Sequence, residues 1–308
     1  MNLTSEKENF NRSHAKTNPS FQEAVLQVKN RIKARGDLPH VSVQRQLELV
    51  DQLCEFPFGR HTLETKGANG FWTDYLISPP KNQNPADLST IENYILNRSL
   101  IILAHRERFR TYQNVMQSLL KEGIVLASVP CGLMRDLITL DFSHISNFNL
   151  VGIDIDQESL DLAAKLAKEW HISNVALLQL DAWQMDFKEE FDVLTSSGLN
   201  VYESDPEKVL DLYRRFYNAL KPGGSLIISV LTYPPGDSNP TEWALENIDP
   251  EDLLMEQVLY KDILNLNWRN FRSADEIDRE FKLAGFSQVD IIYDQNRIFP
   301  TVVAHKAL

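Results

Sequence analysis

Two short segments near the middle of the 308-residue chain carry residue types suited to holding a nucleotide. The first, Val129-Pro130-Cys131-Gly132-Leu133-Met134-Arg135-Asp136, follows an apolar run and precedes a helical pattern. A strand, a tight turn with glycine and a helix start aim backbone N–H groups and the positive helix end at a ligand. The second, Gly152-Ile153-Asp154-Ile155-Asp156, places a carboxylate 22 positions after Gly132. That is close to the spacing at which an acid accepts hydrogen bonds from ribose hydroxyls. Asp156 is read first as an N-cap of the next helix, and Asp154 as the ligand contact. A single glycine also fits an ordinary strand–helix turn, so the pairing with Asp154 carries more than the turn alone.

The elements that must position these residues follow from periodicity. After Glu122-Gly123, short apolar runs alternate with amphipathic helices, the pattern of βαβ units and a parallel sheet. Strands are expected over 124–129, 150–154, 175–180, 192–196 and 225–231. Between the second and third lies a helix with Leu160, Ala163, Ala167 and Trp170 on one face. After the fourth, Asp205 caps a helix with Pro206 in its first turn and Val209, Tyr213, Phe216 and Leu220 inward, ended by Lys221-Pro222-Gly223-Gly224. A capping box, Ser273 with Glu276, opens a last helix that buries Ile277 and Phe281 and stops at Gly285. Strands at 288–292 and 301–304 follow with no helix between them, which implies an antiparallel edge pair.

Before residue 121 the chain reads as helices. Val25, Val28 and Ile32 share one face, as do Leu47, Val50, Leu53 and Cys54, and one broken helix or two consecutive ones run from Asp87 to Leu120. Residues 1–20 have the composition of a mobile polar tail, and Ser78 to Pro85 form a turn-rich connector. The domains expected are therefore the tail, a helical lid over 21–121, and a sheet domain over 122–308 interrupted by an insertion at about 233–270.

Composition narrows the partners. Net charge is −12, which supplies no electrostatic footprint for DNA or RNA and disfavours nucleic acid as substrate. No apolar run approaches the roughly 20 residues needed to cross a bilayer, and the polar start lacks a secretory h-region. Two cysteines, Cys54 and Cys131, make no disulfide framework, and with no signal peptide they point to the reducing cytoplasm. The seven histidines are scattered and no Cys/His spacing suits a metal, so none is expected.

Further motifs extend the pattern. Leu178-Gln179-Leu180-Asp181-Ala182 ends the third strand with an acid followed by a small residue, Phe191-Asp192-Val193-Leu194 opens the fourth, and Leu220-Lys221-Pro222-Gly223-Gly224 precedes the fifth. In order and spacing these segments resemble the successive motifs of class I S-adenosylmethionine-dependent methyltransferases over about residues 124–231. The resemblance implies an α/β fold with a doubly wound, seven-stranded, mainly parallel sheet, an antiparallel edge hairpin and an N-terminal helical lid. It also implies S-adenosylmethionine as cofactor and S-adenosylhomocysteine as product. Carried over by position, Pro130, Cys131 and Gly132 lie under the methionine part. Asp154 and its neighbour Ile155 serve the ribose, Asp181 and Ala182 the adenine, and Ser196 and Ser197 lie beside the sulfonium and the acceptor. The family's glycine-rich turn begins with an acid and alternates glycines; here Ser128, Pro130, Gly132 and Met134 stand at those positions. Arg135 either compensates by pairing with the cofactor carboxylate or is a solvated first-turn cation.

Methyl transfer from a sulfonium is an in-line displacement, so the protein aligns, excludes water and, where needed, removes a proton. Asn200 and Tyr202, in the loop after the fourth strand, are the acceptor contacts expected, with packing an equal reading for Tyr202. His61, among the glycines and aromatics of 58–75, is the candidate general base; a folding role for that aromatic segment is the alternative. The Asn-Pro-Pro-aromatic signature of amide or base nitrogen methylation is missing, which disfavours nucleic-acid bases and glutamine side chains; a small-molecule substrate is expected, with a hydroxyl or carboxyl oxygen weakly favoured over nitrogen as acceptor. The insertion offers a surface for either a lid or a homodimer. A catalytically silent, methyltransferase-like binding protein is the competing reading, and a nicotinamide oxidoreductase is disfavoured for want of three glycines after strand one.

Overall fold

A computed structural model describes residues 20–79 and 88–308. The expected tail, apart from Ser20, and most of the Ser78–Pro85 connector lie outside those residues. In chain order the helices are α1 (Phe21–Arg35), α2 (Val43–Leu53), α3 (Pro57–Thr65), α4 (Gly70–Ile77), α5 (Thr90–Asn97), α6 (Leu100–Leu119), α7 (Arg135–Ile138), α8 (Gln157–Glu169), α9 (Pro206–Ala219), α10 (Pro250–Glu256) and α11 (Ala274–Ala284). The strands are β1 (Ile124–Ser128), β2 (Phe148–Asp154), β3 (Val175–Gln179), β4 (Phe191–Ser196), β5 (Leu220–Ser229), β6 (Gln288–Ile292) and β7 (Thr301–His305). Among the described residues, 20–79, 88–103 and Leu245–Asn267 form one compact unit; Ala104–Ala244 and Trp268–Leu308 form the other. No helix among the described residues is long and apolar enough to cross a membrane.

In the helical unit the starts are written in side chains. Ser20 and Glu23 make a full capping box, and Ser42, Asn69 and Ser89 each accept from a backbone N–H two or three residues into the helix they open. The buried stripe of α1 is Ala24, Val28 and Ile32, spaced i, i+4, i+8. Val28 and Ile32 are buried as expected, while Val25 sits at the margin and Ala24 completes the stripe. In α2, Val50 and Leu53 are buried as expected, Leu47 and Cys54 lie at the margin, and Leu49 completes the stripe with Gln46, whose side-chain oxygen accepts from Arg35 and whose amide bonds the Ser42 carbonyl at 3.3 Å. The region 87–120 resolves into α5 and α6, broken at Arg98-Ser99.

Leu245–Asn267 belongs to this unit because its polar groups are satisfied there. Glu256 is 4% exposed and accepts from the Leu100 N–H at 2.9 Å, the Ile101 N–H at 3.4 Å and the Tyr94 hydroxyl at 3.1 Å. It thus caps the head of α6 from a distant segment, supplying acceptors that Ser99 alone cannot. Beside it the Ser99 and Tyr260 hydroxyls are 2.9 Å apart. Burial pushes the Glu256 carboxyl up to about 7, although every one of those hydrogen bonds pulls it down. A folded-state value above the unfolded one means that the folded protein holds the proton more tightly between about pH 4.5 and 7. Stability from this group is therefore complete below the unfolded value and is lost as pH rises through 7, by about 3 kcal/mol. Glu256→Gln, which stays neutral, is expected to flatten the fall in stability between pH 5 and 8, read by urea denaturation at a series of pH values. An unchanged slope would show that Glu256 does not set it.

The sheet of the second unit has the order β3-β2-β1-β4-β5-β7-β6, with β7 antiparallel to both β5 and β6 and every other pairing parallel. This is the seven-stranded, doubly wound arrangement with an antiparallel edge hairpin that the motifs imply. Alternation assigns side chains to its faces. Leu194, Leu226 and Ile228 join α9 and α11 through Val209, Tyr213, Phe216, Ile277 and Phe281. Val193, Ile227, Leu126 and Leu150 pack instead with Tyr112 and Met116 of α6 and Leu160, Ala163 and Ala167 of α8. Tyr213 stacks on Phe281 at 4.5 Å between ring centroids, tying α9 to α11. The expected caps are present: Asp205 on α9, the Ser273–Glu276 box on α11, and Gly285 at φ 116° against the Tyr217 ring.

Lys221-Pro222-Gly223-Gly224 does more than end α9. β5 begins at Leu220, paired with Phe191, and its register then jumps so that Val193 pairs with Ser225. The four residues form a bulge in which a Cβ on Gly224 would stand 2.8 Å from the Lys221 carbonyl. Lys221 donates to Asp192 at 2.6 Å, and Asp192 also accepts from the Val125 N–H at 3.0 Å. This end of β4 and β5 is the amino end, opposite the edge where open α/β sheets bind ligands.

Candidate active site

At the carboxyl edge β1 leaves its neighbours through a turn pinned at each step. The Val129 N–H donates to the Thr195 carbonyl at 2.8 Å, and the Cys131 N–H to the Ile153 carbonyl at 2.9 Å. The Val129–Pro130 peptide is cis, Gly132 has φ 49° and Met134 φ 59°. The helix beyond is one turn, α7, and Arg135 opens it half-buried, its carbonyl accepting from the Thr139 hydroxyl at 2.8 Å. The side chains of Cys131 and Met134 fit because β2 has a glycine beneath them. A Cβ on Gly152 would meet the Met134 sulfur at 2.9 Å, the Cys131 sulfur at 3.0 Å and Leu177 Cδ2 at 2.7 Å. Glycine missing from the turn is thus present in the strand under it. Burial pushes the Cys131 thiol well above its ordinary value, which leaves it an inert packing group.

Ser128 stands where the family has an acid, and a carboxyl reaches it from the other side. Oδ2 of Asp136, on α7, accepts from the Ser128 hydroxyl at 3.0 Å and the Thr195 hydroxyl at 2.6 Å. Burial raises the Asp136 carboxyl despite both hydrogen bonds. Neither Asp136 nor Thr195 stands out in the sequence, since the contact joins residues 59 apart.

The end of β2 brings two predicted residues together. Asp154 is 7% exposed; its Oδ2 accepts from the Gly132 N–H at 2.9 Å and its Oδ1 from the Asp156 N–H at 3.0 Å. Burial raises this carboxyl as well, against those backbone bonds. A carboxylate offers about four lone-pair sites, so two stay available to hydroxyls of a ligand. Ile155 follows with 38% of its surface exposed, an apolar side chain at the rim. Asp156 takes the capping role: it accepts from the Glu158 N–H at 3.2 Å and the Ser159 hydroxyl at 2.9 Å. After β3, Asp181 accepts from the Trp183 N–H at 2.9 Å and so opens the short 3-10 turn 182–184, with Ala182 buried within it.

After β4 the predicted residues separate. Ser196 is fully buried; its carbonyl accepts from the Tyr112 hydroxyl at 2.8 Å, and its own hydroxyl has no partner among the described residues. Ser197 is exposed and receives Arg108 Nη2 at 2.8 Å. Asn200 is fully buried and donates to the Tyr213 hydroxyl at 3.1 Å, which makes it an interior tie between the loop and α9. Tyr202 hydrogen-bonds Trp268, and burial raises its hydroxyl. His61 lies in the helical unit, half-buried, with its ring 5.7 Å from Trp72. Phe58, Phe71 and Tyr75 also stand within 5.5 Å of Trp72, so this aromatic segment packs on itself.

Two residues of α6 at this edge escape sequence inspection. Arg108 and Tyr112 reach the ends of β4 and β5, with Arg108 Nη1 on the Ser229 hydroxyl at 3.1 Å. The signal available was phase: 108, 112 and 116 recur every four residues, and Tyr112 and Met116 are core. A cationic residue in that stripe is buried, not solvated.

With this geometry in place, comparison with known proteins identifies the class. Residues 129–224 match a family described as a methyltransferase domain. A crystal structure of a Bordetella parapertussis protein, described as a possible exported protein, is 37% identical, covers 100% of both chains and superposes with a TM-score of 0.89. A demethylmenaquinone methyltransferase from Lactococcus lactis is 25% identical over 54% of this chain and 68% of its own. One from Staphylococcus carnosus is 26% identical over 58% and 75%. The S-adenosylmethionine-dependent methyltransferase SibL, 15% identical over 94% of this chain and 76% of its own, shares the fold at a TM-score of 0.53. The chain belongs to the family of the Bordetella protein and is a class I S-adenosylmethionine-dependent methyltransferase. The edge formed by Gly132, Asp154 and Ile155 fits that cofactor: a buried carboxylate with open lone pairs stands beside an exposed apolar side chain.

Proposed function

We propose that this methyltransferase acts on a small molecule through a hydroxyl or carboxyl oxygen. The observation that supports it most is the setting of the β4–β5 end. There Tyr112, Tyr202, Trp268 and Phe299 gather about Arg108, as suits a compact, partly aromatic acceptor rather than a polymer. The acidic charge of the chain argues the same way against nucleic acid.

Asp154 and Ile155 are assigned to the ribose, Asp181 and Ala182 to the adenine, and Pro130, Cys131 and Gly132 to the backbone floor beneath the methionine part. Arg135 is assigned to its carboxylate. When bound there, S-adenosylmethionine would supply an electrophilic methyl group on its sulfonium, with S-adenosylhomocysteine as the leaving group. The chain's own work is to hold Asp154 rigidly through Gly132 and Asp156, and to hold the end of β4 at Ser196 through Tyr112. Tyr202 is the proposed acceptor contact, Asn200 positions its loop, and His61 is the proposed base for a hydroxyl acceptor. An ionised carboxyl needs none.

Incubation with S-adenosylmethionine and a panel of hydroxylated, carboxylated and amine-bearing metabolites is expected to release S-adenosylhomocysteine with oxygen nucleophiles. A methylated product whose new bond is to nitrogen or carbon would overturn the oxygen assignment.

A further inference from the structure

Arg108 is 3% exposed, and its hydrogen-bond partners are two neutral hydroxyls, Ser197 and Ser229. Its guanidinium also lies 5.3 Å from the centroid of the Phe299 ring. No carboxylate among the described residues lies within ion-pair distance of it. Among those residues Asp294 is the one carboxylate whose charge supports it, and that carboxylate is already engaged by the N–H groups of Asn296 at 3.2 Å, Ile298 at 3.1 Å and Phe299 at 2.7 Å.

Arginine stays charged in a protein, so this is a buried cation without a counter-ion. Burying a charge is costly unless it is paired, and two hydroxyls with one ring face offset only part of that cost. The fork has five N–H donors, and two are used. Such an arrangement is relieved by an incoming anion, which a guanidinium takes with two parallel hydrogen bonds.

Its place in the sheet says which anion. Ser197 follows β4 and Ser229 ends β5, whereas Gly132 and Asp154 lie at the ends of β1 and β2. In the order β3-β2-β1-β4-β5, Arg108 stands on the far side of β4 from the residues assigned to the nucleotide. Ser197, which holds Nη2, is exposed, and Tyr112, Tyr202 and Phe299 lie about the guanidinium, with Trp268 against Phe299.

We propose that Arg108 anchors a carboxylate carried by the methyl acceptor, so that the substrates of this enzyme are small carboxylic acids with an apolar or aromatic body. This rests on assigning the β4–β5 end to the acceptor. The carboxylate completes the guanidinium's hydrogen bonds, and the two serine hydroxyls hold the fork in the plane that receives it. A neutral isostere leaves the cation unpaired and is rejected.

Benzoate, with benzamide as its uncharged twin and inorganic phosphate as a second anion, tests the proposal on the full chain saturated with S-adenosylhomocysteine. Benzoate is expected to raise the melting temperature with dose and benzamide is not. Arg108→Met should abolish the benzoate response while calorimetry finds its affinity for S-adenosylhomocysteine within about threefold of the wild type. Should Arg108→Met not fold, Ser229→Ala, which keeps the charge and loses one anchor, should weaken benzoate roughly tenfold. Equal responses to benzoate and benzamide, or a benzoate response surviving both substitutions, would overturn the proposal. A response to phosphate alone would replace the carboxylate by a phosphate. Loss of S-adenosylhomocysteine binding in Arg108→Met would move the guanidinium to the cofactor. If the wild type binds no S-adenosylhomocysteine, the cofactor assignment falls, and the benzoate and benzamide arms without it still decide the role of Arg108.

Discussion

Asp154→Ala is expected to weaken S-adenosylhomocysteine binding roughly a hundredfold, the largest functional effect of any single substitution at this edge. Hydrogen bonds to a charged acceptor contribute about 1.5–3 kcal/mol each, and two ribose hydroxyls have lone pairs open to them on this carboxylate. The same substitution frees the Gly132 N–H, held at 2.9 Å, and the Asp156 N–H, held at 3.0 Å. The turn after β1 then loses the bond that sets its distance from β2. Asp154→Asn should lose nearly as much, because both oxygens accept from N–H donors and an amide nitrogen on either side faces another donor. Titration calorimetry with S-adenosylhomocysteine reads both variants. An affinity within threefold of the wild type would remove Asp154 from the nucleotide site.

Gly152→Val should have the largest effect on folding among the residues beneath the site, about 3 kcal/mol of lost stability. Valine is the better strand former, so backbone propensity pulls the other way and the net loss understates the packing cost. The first added carbon would already stand at 2.7–3.0 Å from Leu177 Cδ2, Met134 Sδ and Cys131 Sγ. Two of those atoms belong to the turn that carries Gly132, so relief of the overlap must lift the turn. Weaker S-adenosylhomocysteine binding should therefore accompany the lower urea midpoint. A variant as stable as the wild type would mean that the turn has room to move. Gly152→Val with Met134→Ala should recover part of both, since neighbouring substitutions that share a contact are not additive.

What could be read in advance divides along the range of the interaction. Capping boxes, Pro206 at a helix start and Gly285 at a helix end act within four residues, and each lies where its sequence places it. Asp156 settles as a cap for the same reason. Short apolar runs alternating with amphipathic helices foretold the sheet, because hydrophobic period is a local property. The faces of α1 and α2 were read correctly at Val28, Ile32, Val50 and Leu53 and incompletely elsewhere, since Ala24 and the hydrogen-bonded Gln46 are as buried as the larger apolar residues that define a pattern. Lys221–Gly224 reads as a family motif, yet it serves a bulge at the amino end of β5, remote from the ligand edge.

The chain's order of motifs, read alone, determined the class of the enzyme, its cofactor, and the pairing of Gly132 with Asp154, because these depend on strand endings whose sequence neighbours are fixed. Tertiary structure decided the rest. It substituted Asp136 for the missing acid at Ser128, put the missing glycine's space at Gly152, withdrew Asn200 into the interior and buried Arg108 at the ends of β4 and β5. Each of these joins residues far apart in the chain, and burial and hydrogen-bond partners across such distances exist only once the strands have found their register.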